Sequence, residues 1–217
     1  IAGNIRTVRE RIRSAASKAG RNAADIRLIA VSKQMPAESI AAAMAAGHRS
    51  FGENTLQDAA TKQALIDAPG IDWQFIGHLQ SNKAKAVARH FDWLHTLDST
   101  RLAKRLSDNR PDAASPLRVL LQVNVARDPD KFGHLPDDVY RMAEDLLLAA
   151  YPGIELCGLM TIGQRNATDD QRRAEFIALR ELAADCADRF GAGYFAELSM
   201  GMSDDFEIAI EEGATMV

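Results

Sequence analysis

The chain has 217 residues, 47% of them hydrophobic, and a formal charge of -4. That length suits one domain, spanning residues 1–217, built on one sizeable core. The modest negative charge argues against a nucleic-acid binder held by a broad basic face, and no apolar run reaches the ~20 residues of a membrane span.

The opening segment IAGNIRTVRERIRSAASKAG reads as an amphipathic helix with basic residues on its polar side, and it lacks the pattern of a signal peptide. IRLIAVS (26–32) is the first short strand. Pro36 then starts the helix ESIAAAMAAG, with Gly47 as its C-cap. RSFGE (49–53) is the second strand, followed by a helix through Asp67. IDWQFIG (71–77) is the third, with NKAKAVARH as its helix. FDWLHTLD (91–98) is the fourth, followed by STRLAKRLSDN. LRVLLQVNVA (117–126) is the fifth, and its near-continuous apolar run suits a strand covered on both faces. PDDVYRMAEDLLLAA is the next helix, IELCGLMTIG (154–163) the sixth strand, and DDQRRAEFIALRELAADCADRFG its long helix. YFAELSM (194–200) is the seventh strand, DDFEIAIEEG a short helix, and ATMV the start of an eighth strand.

Strict alternation of this kind is α/β and predicts a single (β/α)₈ TIM barrel rather than an open sheet. The chain opens on Ile1 and stops at Val217 inside a strand pattern, so both ends are expected to be truncated. Cys157 and Cys186 lie in apolar stretches without metal spacing, which predicts buried thiols in a reduced, cytosolic chain.

In such barrels the reacting groups come from strand C-termini and the loops after them. Those ends are Lys33, Asn54, Gly77 with His78, Asp98, Asn124, Met160 with Thr161, and Ser199 with Met200 and Gly201. Lys33 is the one lysine directly at a strand end. Free lysine titrates near ~10.4, and a barrel mouth that desolvates the ammonium favours the nucleophilic amine. The alternative is a solvated loop lysine. In LSMGMSDDFE (198–207), Gly201 lets the backbone approach a ligand, and the helix after it offers N–H groups to an anion. Ser203 or Asp204 can equally be its N-cap. Asn54 and Asn124 can donate into the pocket or serve as turn residues. Ser81 or Asn82 is placed to cap a helix. Met200 and Met202 are expected to be packing residues. GAGYFA (191–196) precedes a strand and so fails the dinucleotide context. His90 and His95 have poor metal spacing, and no metal site is expected.

AVSKQMP (30–36), FGENTLQDAATK (51–62), WQFIGHLQSNKAK (73–85), GLMTIG (158–163) and LSMGMSDDFEIAIEEGATMV (198–217) resemble the YggS/PROSC family of pyridoxal-phosphate homeostasis proteins, in register over almost the whole chain. The resemblance implies a barrel like the N-terminal domain of alanine racemase without that enzyme's second domain. It implies pyridoxal 5'-phosphate as the cofactor, held as a Schiff base on Lys33. It also implies phosphate contacts from Ser199 and the backbone of Met200 and Gly201, and places Asn54 near the cofactor. The resemblance also implies an Arg-Ile-Gly-Thr run after Val217, where the sequence stops, supplying the pyridine-nitrogen partner and completing the phosphate cup.

The implied role is a cytoplasmic, monomeric carrier that buffers the cofactor and delivers it to apo-enzymes, without nucleic-acid or membrane partners. One alternative is a PLP-dependent amino-acid racemase. That reaction needs two acid/base groups on opposite faces of the substrate carbon. None of Tyr140, Tyr151 and Tyr194 is placed for the second. A class I aldolase using Lys33 without cofactor is a further reading.

Overall fold

The computed structural model describes all residues except Asp67. The strands are β1 (Ala30–Val31), β2 (Ser50–Glu53), β3 (Asp72–Phe75), β4 (Trp93–Leu97), β5 (Leu117–Gln122), β6 (Ile154–Met160) and β7 (Glu197–Ser199). The helices are α1 (Ala2–Lys18), α2 (Ala37–Ala45), α3 (Leu56–Leu65), α4 (Ala84–His90), α5 (Thr100–Asn109), α6 (Pro136–Ala149), α7 (Asp169–Phe190) and α8 (Phe206–Glu211). The seven strands form one sheet in sequence order, and every pairing is parallel.

The sheet is curled. Residues 215–217 bond to the segment before β1, where Arg27 N–H donates to Thr215 O at 2.7 Å and Val217 N–H to Arg27 O at 3.0 Å. They also bond to β7, where Met216 N–H donates to Leu198 O at 3.1 Å. The last residues therefore lie between the two edges of the sheet. They form isolated bridges in place of the regular eighth strand expected from ATMV.

Apolar side chains fill both faces of the sheet. Leu94, Val119, Leu121 and Leu159 are buried in the large cluster that includes residues of the surrounding helices. Ile29, Trp93, Leu120, Cys157, Met160 and Met216 form a separate cluster. Strands covered on both sides read as near-continuous apolar runs, which is why β5 is the plainest in the sequence. Both cysteines are free and buried. Burial pushes Cys157 up to about 12 and Cys186 up to about 11, so neither is primed as a thiolate.

Several boundaries differ from expectation for identifiable reasons. The run 26–32 splits its hydrogen bonds: Arg27 and Ile29 bond to residues 215–217, Ala30 and Val31 pair with β2, and the Ser32 amide donates to Gly52 O of β2 at 3.0 Å. The helix expected through Asp67 ends at Leu65, and Asp67 itself lies outside the described residues. Tyr194 does not open a strand. It sits in the 3₁₀ turn Ala192–Phe195, and sheet pairing starts at Glu197. Neither Ser203 nor Asp204 caps α8. Asp205 occupies that place and accepts the Met202 amide at 2.6 Å. Ser81 and Asn82 belong to a 3₁₀ turn ahead of α4 and supply no side-chain cap.

Candidate functional site

A parallel sheet brings all its strand C-termini to one edge, so Lys33, Asn54, His78, Asp98, Asn124, Thr161 and the 199–201 turn share a rim. Lys33 lies in the turn that follows β1, and its side chain is exposed. The desolvation expected around its amine is therefore absent, because the turn stands clear of the packed interior.

What surrounds Lys33 is a buried charge network that fixes the chain on both sides of it. Lys62 on α3 is 3% exposed and Glu53 at the end of β2 is 0% exposed. The Lys62 ammonium donates to Ser32 O at 2.5 Å, to Glu53 Oε1 at 2.7 Å and to Asp58 Oδ2 at 2.8 Å. Ser32 Oγ donates to the same Glu53 oxygen at 2.6 Å. Asp58 Oδ2 also accepts the Gln34 amide at 2.9 Å. Residue 32 is thus held by its carbonyl and residue 34 by its amide, with Lys33 between them. Gln34 takes a positive φ of 61°, a conformation that non-glycine residues adopt only when their surroundings impose it. Burial works to lower the Lys62 pKa, but its bonds to Asp58 and Glu53 prevail and raise it. Those from Lys62 and the Gln34 amide hold Asp58 below its usual range.

The other arm of the rim is the turn after β7. Ser199 is half-buried, and its Oγ lies 2.8 Å from Nδ1 of the fully buried His95. His95 Nε2 lies 2.7 Å from Gln74 Oε1. Gln74 Nε2 donates to Asp72 Oδ2 at 3.0 Å and to Ser50 Oγ. This polar chain runs through the interior of the curled sheet from the rim to Asp72, where Arg118 donates to Oδ1 at 3.2 Å.

Met200 is buried, and its amide donates to Met216 O at 3.2 Å. Met202, expected to pack, is largely exposed because Asp205 pulls its backbone towards α8. Gly201 has a φ of +93°, and a Cβ there would lie 2.6 Å from Ala209 Cβ. Its lack of a side chain therefore lets α8 pack close, and its amide takes no part in the Met200 and Met202 bonds.

Asn124 is used locally, its side chain bonding the Asp128 backbone at 2.7 and 3.1 Å, so the turn role holds for it. Asn54 is exposed on the rim. A Cβ on Gly77 would lie 2.2 Å from Asn54 O, so the ends of β2 and β3 approach closely only because residue 77 is glycine. A Gly77→Ala chain is expected to lose about 1–3 kcal/mol in urea unfolding and to shift the Asn54 amide resonance. The loop after β5 folds across the rim. Phe132 stacks on His78 at 3.7 Å, and Lys131 Nζ donates to Ile162 O at 3.1 Å and Gly163 O at 2.8 Å.

Sequence reasoning singles out Lys33 and the 199–201 turn, which the structure places on one rim, but not Lys62, Glu53, Asp58, His95 and Gln74. The signal for the first three lay in FGENTLQDAATK, where Asp58 and Lys62 are four residues apart on α3, a spacing that pairs them. His95 enters the sequence reading only as one of two histidines with poor metal spacing.

Residues 4–217 match the family described as alanine racemase, N-terminal domain. The chain is 48% identical over 218 residues to the pyridoxal phosphate homeostasis protein of Pseudomonas aeruginosa, covering 100% of this chain and 91% of that one. It is 42% identical over 221 residues to the protein of the same description from Escherichia coli K12, covering 100% and 92%. Among solved structures it resembles PipY of Synechococcus elongatus with PLP bound, at 40% identity and a TM-score of 0.81, covering 94% of this chain and 95% of that one.

Proposed function

This chain belongs to the alanine racemase N-terminal domain family, and from that membership we propose that it holds pyridoxal 5'-phosphate as a Schiff base on Lys33 and serves the intracellular homeostasis of that cofactor. The observation that carries the reading is the exposed Lys33 amine on a turn pinned from both sides by Lys62 and Asp58. A fixed backbone with a free amine suits capture of a soluble aldehyde. The amine adds to the carbonyl and one water leaves. When bound, the cofactor supplies an electrophilic carbonyl and an electron-withdrawing ring. Ser199 and the Met200–Gly201 backbone face the phosphate in this reading, with Gly201 as the amide left by the bonds at Met200 and Met202. Asn54 stands beside the cofactor from the neighbouring strand end.

The finer fold reading is a closed eight-stranded barrel with residues 215–217 as its last strand, supported by their bonds to both edges of the sheet. The role is buffering of the cofactor and delivery to apo-enzymes by a cytoplasmic monomer. Among the described residues no helix is long and apolar enough to cross a membrane. The racemase alternative wants a second acid/base group opposite Lys33. Tyr140 lies on α6 with its hydroxyl donating to Asp185 of α7, while Tyr151 precedes β6 and Tyr194 precedes β7, at the opposite edge of the sheet from Lys33.

Reductive trapping tests the proposal. Protein mixed with the cofactor should turn yellow, lose that colour on borohydride treatment, and yield a single labelled peptide containing Lys33. An adduct on another side chain, or none, would overturn it. Turnover of an amino acid above ~1 per second would replace the carrier role with an enzyme.

A further inference from the structure

We infer that His95 is a positioning residue that holds the Ser199 hydroxyl proton away from the cofactor's phosphate, and so keeps the cofactor loosely enough held to be given up. The inference rests on the proposed placement of the phosphate at Ser199.

Asp72 ends the polar chain on the side away from the rim. The Asp72 carboxylate accepts from Gln74 at 3.0 Å, and a carboxylate partnered by Arg118 can only accept. The Gln74 amide nitrogen must therefore face Asp72, because the flipped amide would set its oxygen against the carboxylate. That leaves Gln74 Oε1 facing His95 Nε2 at 2.7 Å, and an amide oxygen can only accept. His95 Nε2 therefore carries the hydrogen.

The ring is neutral. Complete burial, reinforced by the nearby charge of Arg27, lowers the His95 pKa to about 3. A neutral imidazole has one N–H, so Nδ1 is a bare acceptor. The Ser199 hydroxyl, 2.8 Å away, is the donor to it. The single proton of Ser199 is committed inwards. Towards the rim the hydroxyl offers lone pairs, which a phosphate oxygen does not attract. Turning the proton outwards would strip a buried nitrogen of its only partner. A residue chosen for tight phosphate binding would not be tied in this way. In a carrier the tie favours release.

The test is a two-by-two comparison of cofactor affinity, read by absorbance titration on the full chain. His95→Leu removes the acceptor and frees the Ser199 proton. The dissociation constant should fall about tenfold or more, the worth of one hydrogen bond to a charged group. The orphaned Gln74 oxygen is present with and without cofactor, so its cost cancels. In a Ser199→Ala background the same His95→Leu change should produce no tightening. Weaker or unchanged binding in His95→Leu alone, or equal tightening in both backgrounds, would overturn the inference.

Nitrogen-15 spectra of the unaltered protein give a readout that needs no variant to fold. They should show His95 as the neutral Nε2–H form, with and without cofactor. A hydrogen on Nδ1 would overturn the inference. Borohydride trapping at Lys33 is independent of His95, so failure of the parent proposal is distinguishable from failure of this one.

Discussion

A Lys62→Met chain is expected to lose about 3–5 kcal/mol of stability, the cost of breaking a buried ion pair from one side. Lys62 is 3% exposed and its partner Glu53 is 0% exposed, so the orphaned carboxylate has no route to water without local opening. The remaining hydrogen bond to Glu53, from Ser32 Oγ, is a weak substitute for an ammonium. Glu53 Oε2 already has no partner among the described residues, which leaves Lys62 as its principal compensation. Urea unfolding monitored by fluorescence should show the midpoint falling with an unchanged slope. A loss below about 1 kcal/mol, the level of an exposed ion pair, would mean that the network contributes little. The same substitution releases the Ser32 carbonyl, and the Gln34 amide should exchange faster with solvent.

Lys33→Ala is expected to act in the opposite way. Its side chain is exposed, so stability should change by no more than about 0.5 kcal/mol. The covalent link to the cofactor should disappear entirely: no yellow colour, and no borohydride-stable adduct on any peptide. Residual binding through the phosphate would survive only as a reversible component removed by gel filtration. An adduct persisting on Lys83, Lys85 or Lys131 would show that another amine can take the place of Lys33. In the proposed function the two lysines divide the work: the buried one fixes the backbone, and the exposed one is the amine that captures the cofactor.

The fold was most legible where burial on both faces left a near-continuous apolar run, as in β5. It was less legible where the pairing partner lies far along the chain. Nothing local in 26–32 says that Arg27 and Ile29 bond to residues 215–217 while Ala30 and Val31 bond to β2. Tyr194 was misplaced because apolar content alone does not distinguish a strand from a 3₁₀ turn after a glycine. At the site, Lys33 stood out because a strand end and a family motif both marked it. Lys62 did not, because a lysine on a helix reads as solvated until Glu53, from the adjacent strand end, is seen beneath it. Met202 was expected to pack by its chemistry, yet the Asp205 bond at its amide turns that residue outwards. His95 shows a further gap: its hydrogen-bond partners, Gln74 on β3 and Ser199 on β7, lie far from it in sequence and meet it only in the folded sheet.

The bonds of residues 215–217 to both edges of the sheet have a kinetic consequence. They join the segment before β1 to residues far along the chain, so they close a very long loop and belong among the latest events of folding. Until they form, β1 and β7 each present a row of unpaired amides and carbonyls, the kind of template on which chains associate wrongly. On a ribosome, that vulnerable interval lasts until residues 215–217 emerge.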